Sequence, residues 1–105
     1  MHAQVITYRL SGISQEEYQK LCEPLAPIIA AQPGLLEKTW LADPAANSYG
    51  GLYKWRDRAS MEAFMQTDVV KGFASHPAIV ELTSQDFQVW EAASLVTRGV
   101  VAVPA

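Results

Sequence analysis

Cysteine is almost missing from this chain: Cys22 is the single one. It cannot form an internal disulfide, which fits a reducing cytoplasm. On the face of a helix it reads as a small apolar residue and not as a nucleophile. Histidine is nearly as scarce, and His2 and His76 stand too far apart for their spacing to suggest a metal site. No glycine-rich loop joins a strand to a helix, so neither a dinucleotide nor a P-loop site is supported; Gly50-Gly51 opens a strand, which is the wrong context. Ser14, Ser60 and Ser75 lack the surroundings of a nucleophile elbow. A formal charge of −3 and the lack of any Lys/Arg cluster argue against nucleic acid as a partner. No apolar run approaches the ~20 residues that cross a membrane. Met1-His2-Ala3-Gln4 shows neither the basic start nor the apolar stretch of a signal peptide, so a cytoplasmic protein is expected.

What is present is a chain of 105 residues, half of them apolar, which suits a single domain over residues 1–105 with one core. Gln4–Leu10 alternates, with Ile6, Tyr8 and Leu10 on one face and Val5, Thr7 and Arg9 on the other, as a first strand would. Ser14 followed by Glu17 is a capping box. Tyr18, Leu21, Cys22, Leu25, Ile28 and Ile29 then recur at helical spacing. Pro24 and Pro27 predict a kink there, or two consecutive short helices. Asp57 can cap a second helix with Met61, Phe64 and Met65 on its buried edge. Val69, Val70 and Phe73 add a further turn or two, which His76-Pro77 stops. Ile79–Glu91 reads as the last strand, long enough for a bulge near Ser84-Gln85. The tail Ala92–Ala105 carries apolar residues, among them Leu95, Val96, Val100, Val101 and Val103, but no core of its own.

The rest is arranged around residues 32–57. Pro33-Gly34 breaks the chain before a strand Leu35–Ala42, and a second strand runs from about Tyr49 to Arg56. Strict alternation puts Leu36, Lys38, Trp40 and Ala42 on one face and Leu35, Glu37, Thr39 and Leu41 on the other. Gly50-Gly51 weakens the second strand and signals close approach of another backbone or of a ligand. Gly51, Tyr53 and Trp55 then line one face. An aromatic row that begins at a glycine notch could hold a flat ligand, although core packing is the commoner role of such rows. The order β-α-β-β-α-β is the ferredoxin-like split unit, an α+β fold whose antiparallel four-stranded sheet carries helices on one face. The opposite face would be bare and partly apolar, which asks for a partner.

The segment PGLLEKTW, followed after a short loop by GGLYKWRD, resembles the YdhR-type monooxygenases, small relatives of the antibiotic-biosynthesis monooxygenases. Pro24-Leu25-Ala26 falls where that family also has such a step. The resemblance extends from the first strand to about Arg98, and its specific part is Pro33–Asp57. It implies a dimeric α+β barrel in which two sheets pack together. The bare sheet face and the C-terminal tail that lacks its own core are the surfaces expected to form the homodimer. It also implies oxygenation of a small aromatic, phenolic or polycyclic substrate without metal, flavin or other cofactor. In such chemistry the deprotonated substrate itself passes an electron to oxygen, and the protein supplies a dry slot, a proton acceptor and an anion-stabilising donor.

The residues available for those roles are the rings of Tyr8, Trp40, Tyr53, Trp55 and Trp90, with Lys38, Arg9 and His76. Tyr8, Trp40, Tyr53 and Trp55 are the expected substrate-binding set. Lys38 would favour the substrate anion and His76 would take its proton. Taken singly, Lys38 also reads as a snorkelling strand lysine and His76 as a turn residue. A haem-binding or haem-degrading member of the same fold would carry an asparagine in the first strand and a tryptophan about ten residues before a histidine. Here the first strand has no asparagine, and Met65 stands ten residues after Trp55. A non-catalytic ligand-binding or structural dimer stays open.

Overall fold

In the computed structural model, which describes residues 1–100, nine regular elements and one short 3₁₀ turn follow one another. They are β1 (His2–Leu10), α1 (Gln15–Cys22), α2 (Leu25–Ala30), β2 (Leu35–Asp43), the 3₁₀ turn Pro44–Ala46, β3 (Ser48–Trp55), α3 (Arg58–Met65), α4 (Asp68–Ala74), β4 (Ile79–Gln88) and α5 (Glu91–Val96). The strands form one sheet in the order β2-β3-β1-β4, each pairing antiparallel with its neighbour. This is the α+β ferredoxin-like fold, with each crossover helix broken into two.

The helix starts follow from local chemistry. Glu17 N–H donates to Ser14 Oγ at 3.1 Å while Ser14 N–H donates to Glu17 Oε1 at 3.0 Å, completing the capping box. Asp57 Oδ1 takes the Ser60 N–H at 2.8 Å and opens α3. Pro24 and Pro27 cannot donate to an α-helical ladder, and α1 gives way to α2 there.

One side of the sheet is covered. Ile6 and Tyr8 of β1, Tyr49, Tyr53 and Trp55 of β3, and Ile79 of β4 pack against Tyr18, Cys22, Ile29, Met61 and Phe64 of the helices. Burial alternates along β1, but the covered positions continue past Ile6 to the polar Gln4 and His2. The opposite side carries Val5, Thr7, Leu41, Leu52 and Phe87, of which Leu41 and Phe87 are exposed.

Three strand details differ from the sequence expectation. Leu35 pairs with Trp55 and Glu37 with Lys54, so Leu36 is the extra residue of a bulge. Leu35 therefore turns to the covered side and packs on the core, and Leu36 does not continue the Lys38–Trp40–Ala42 row. The bulge of β4 lies at Glu81-Leu82 and not at Ser84-Gln85: Thr7 faces Thr83 and Arg9 faces Val80, and Glu81 takes a left-handed φ of 54°. The last strand stops at Gln88, before Trp90 and Glu91. Gln88 is already opposite His2, and beyond it β1 offers one more carbonyl, that of Met1, to Val89. Trp90 then precedes α5, whose Leu95 and Val96 stay exposed. Val101 and Val103 of the expected apolar tail lie outside the described residues.

Candidate active site

Between the covered side of the sheet and the helices lies an apolar cavity of about 40 Å³. Ile6 and Tyr8 reach it from β1, Lys38 and Trp40 from β2, Tyr53 from β3, and Met65 and Phe73 from α3 and α4. Four of the residues expected from sequence, Tyr8, Lys38, Trp40 and Tyr53, thus line one space.

The geometry around Lys38 begins with a glycine. Gly51 is opposite Trp40, and a Cβ at Gly51 would sit 2.7 Å from Lys38 Cε and 3.0 Å from the Tyr53 ring. The missing side chain leaves the notch through which the lysine stem crosses to the aromatic rings. Lys38 Nζ lies 3.2 Å from the Trp40 ring centroid and 4.7 Å from that of Tyr53, a cation–π seat on two rings. Among the described residues no carboxylate or hydrogen-bond acceptor pairs with this amine. Lys54, one strand over, has both: Glu37 Oε1 at 3.3 Å and the Gly99 carbonyl. Burial among apolar groups disfavours the ammonium and pushes Lys38 down to about 8; the neighbouring Cys22 opposes the shift. Gly50 has a different reason to be glycine. A Cβ there would meet the Ile6 carbonyl oxygen at 1.8 Å, so close approach of the β1 backbone excludes any side chain.

Beside Lys38 the polar groups are neutral. The Tyr8 and Tyr18 hydroxyls share a short hydrogen bond. Burial pushes Tyr8 up to about 12, although its bond from Tyr18 lowers it, and burial raises Tyr18 and Tyr53 further. Cys22 is raised by burial as well, with the Tyr18 hydroxyl and Lys38 acting the other way. At neutral pH these phenols and the thiol keep their protons, so the site's one readily titrating group is the Lys38 amine.

Two expected site residues are elsewhere. Trp55 is completely buried, stacks on Tyr53 at 6.1 Å and donates its Nε1–H to Gln4 Oε1 at 3.0 Å; it is core under the sheet and does not line the cavity. His76 sits in the turn between α4 and β4, where its Nδ1 accepts the Ala78 N–H at 3.1 Å, and it too lies outside the cavity lining. Conversely, sequence reasoning passes over Gln4. It is fully buried and donates to Ser84 Oγ at 3.0 Å and Met65 Sδ at 3.2 Å. Its place in the alternation with Ile6 and Tyr8 is the one signal of that burial. Trp90 is 77 % exposed and belongs to the surface near α5.

A four-stranded antiparallel sheet in the order β2-β3-β1-β4 with helices on one side defines the class of small α+β proteins of ferredoxin-like fold. The family model described as "Putative mono-oxygenase ydhR" matches residues 4–100, and the chain belongs to that family. Solved structures share the fold at low identity. A protein described as a putative antibiotic biosynthesis monooxygenase from Deinococcus radiodurans superposes with a TM-score of 0.73 at 15% identity, over 87% of this chain and 94% of that one. SnoaB, a cofactor-independent oxygenase from Streptomyces nogalater, gives 0.69 at 18%, over 86% and 93%. The heme-degrader MhuD from Mycobacterium tuberculosis, solved with two hemes in its active site, gives 0.67 at 16%, over 86% and 96%. A search of curated proteins found no match. Among the described residues no helix is long and apolar enough to cross a membrane, and no group of three or more His, Cys, Asp or Glu side chains is placed to hold a metal.

Proposed function

We propose that this chain is a cofactor-independent monooxygenase acting on a small aromatic phenol or a polycyclic relative. The observation that carries the reading is the Lys38 amine, unpaired among the described residues and seated on Trp40 and Tyr53 at an apolar cavity. Family membership supplies the reaction class, and the cofactor-independent oxygenase among the structural neighbours is a precedent on the same fold.

In this reading Lys38 is both base and anion holder, and His76 keeps its place in the turn. The neutral amine takes the phenol proton, and the resulting ammonium stays beside the phenolate in surroundings that strengthen the pair. The electron-rich phenolate ring then reduces oxygen. One oxygen atom becomes a carbonyl at a ring carbon in place of its C–H, giving a quinone, and the other leaves as water with that ring hydrogen and the phenol's own proton. The substrate supplies all four electrons.

The cavity is smaller than the roughly 300–1,000 Å³ of a typical ligand pocket. A substrate therefore enters with movement of Trp40, which is 39 % exposed at the sheet's edge strand. The same small volume favours a second reading, a structural or ligand-binding module without turnover. Oxygen uptake with a panel of naphthols and hydroquinones, with no flavin, nicotinamide or metal added, separates the two. The enzyme reading expects uptake above the uncatalysed rate, rising around pH 8 as Lys38 loses its proton. In Lys38→Met the rise moves toward the free phenol's own value, about 10. An unchanged profile removes Lys38 from the mechanism, and no uptake across the panel leaves the binding module.

The same proposal includes a homodimer through the open side of the sheet, where Leu41 and Phe87 are exposed beside Val5 and Leu52. A stable pair would bury about 1,600 Å² in total. Light scattering at micromolar concentration checks it, and a monomer there overturns it.

A further inference from the structure

Lys38 also lines a second space. A groove of about 220 Å³ runs outside α2 and β2, and Lys38 and Trp40 border both this groove and the inner cavity. Ala26 and Ala30 form part of the groove's helical wall, and their small side chains leave width for a ring beside Trp40. Among the described residues the one carboxylate on the groove, Glu37, is taken by Lys54 at 3.3 Å, so it does not hold the Lys38 amine.

We propose that Lys38 is a carbonyl-capturing amine: a small aromatic aldehyde seated in the α2–β2 groove forms a Schiff base with Lys38 Nζ. The inference goes beyond oxygenation and does not require it. The neutral amine's lone pair attacks the carbonyl carbon, a C–N bond forms, and the carbonyl π pair moves onto oxygen. A proton passes from nitrogen to that oxygen to give the carbinolamine. Loss of the hydroxyl with a second nitrogen proton releases water and leaves C=N, so amine and aldehyde become imine and water with no net redox change. The apolar surroundings favour a step that replaces a cation by a neutral imine.

The other lysines lack this setting. Lys20 pairs with Glu16 at 3.5 Å on the outside of α1, Lys54 is held by Glu37 and the Gly99 carbonyl, and Lys71 is exposed on α4. With Lys38 near 8, on the order of one amine in ten is neutral at pH 7, against fewer than about one in a thousand for an ordinary lysine.

The test uses the full chain at pH 7 with salicylaldehyde and cyanoborohydride, which reduces any imine to a stable secondary amine. Peptide mapping then gives the labelled fraction at each lysine, with the Met1 α-amine resolved in its own peptide. The proposal expects Lys38 to be labelled about tenfold or more above each of Lys20, Lys54 and Lys71, because only Lys38 combines the groove with an amine free of carboxylate or carbonyl partners among the described residues. Trp40→Ala, which opens the seat to water, should bring Lys38 labelling toward that of the others. Lys38→Arg should lose the dominant adduct and leave the rest unchanged. Even labelling across the four lysines of the wild-type protein, a measurement that needs no variant, overturns the proposal. So does undiminished total labelling in Lys38→Arg. Adduct formation without oxygen uptake would keep this inference and remove the oxygenase reading; uptake with even labelling would do the reverse.

Discussion

A single cross-sheet row on the covered side contains both kinds of polar residue this protein buries. Lys38 of β2 pairs with Tyr53, Tyr53 with Gln4 of β1, and Gln4 with Asp86 of β4. On the β1–β4 half the polar side chains of this row have partners. Gln4 accepts from Trp55 at 3.0 Å and donates to Ser84 and Met65, and Asp86 Oδ2 holds His2 Nε2 at 2.6 Å. On the β2 edge, Lys38 has two aromatic faces and no acceptor among the described residues. Both halves are rich in rings, so aromatic content does not tell them apart. Hydrogen-bond accounting does. A satisfied buried network rigidifies a core, whereas an unpaired amine beside a cavity is available for chemistry.

The largest expected effect comes from breaking the satisfied half. Gln4→Leu leaves the buried Trp55 N–H without a partner, and should cost about 1–3 kcal/mol. Urea unfolding should show a lowered midpoint at unchanged slope. A variant as stable as the wild type would mean that the two halves are not distinguished by partner satisfaction.

Gly51→Ala sharpens the other half. Its Cβ would meet Lys38 Cε at 2.7 Å and the Tyr53 ring at 3.0 Å. The lysine stem can swing aside, so the stability cost should stay near about 1 kcal/mol, the lower end for overpacking. The larger consequence is positional: the amine leaves its seat on Trp40. Loss of the oxygen-uptake step at pH 8 together with near-normal unfolding would show that the notch serves Lys38.

The smallest effect is on stability in Lys38→Met. Among the described residues no hydrogen bond or ion pair is lost, and the cost of burying the ammonium goes with the amine, so at pH 7 the variant should be at least as stable as the wild type. The pH dependence carries the sign. Lys38 is lowered in the folded protein, so between about pH 8 and the ordinary lysine value the unfolded chain binds more protons than the folded one. Over that window the wild type should gain stability relative to Lys38→Met as pH rises, and below it the difference should be flat. Urea midpoints from pH 7 to 10 check this, and parallel curves contradict it.

Much of the fold is legible in the amino-acid sequence. The capping box at Ser14, the prolines dividing α1 from α2, and the Asp57 cap each depend on residues a few positions apart, so local chemistry decides them. Alternation pairs Lys38 with Trp40 on one face of β2 and sets Tyr53 on one face of β3. That these faces and Tyr8 lie on the same side of the sheet follows from the strand register and not from the sequence pattern. The bulges at Leu36 and at Glu81-Leu82 are not legible either, because an inserted residue leaves the side-chain pattern readable in either register. Trp55 and Tyr53 share a face, and only the packing of Phe64 and the hydrogen bond to Gln4 turn Trp55 into core. For His76 the two readings differ in where the ring sits in space. The backbone bond from Ala78 shows the turn role, and no residue spacing reports it.

The central claim, a Lys38 amine unpaired among the described residues and held on aromatic faces in apolar surroundings, is tested most directly by titrating that one amine. Lysine side-chain Cε and Nζ resonances followed by NMR across pH 6–11, with Lys38 assigned from its disappearance in Lys38→Arg, give its midpoint without reference to any substrate. The account predicts a midpoint near 8, well below the ordinary lysine value. A Lys38 midpoint near 10.5 would contradict it.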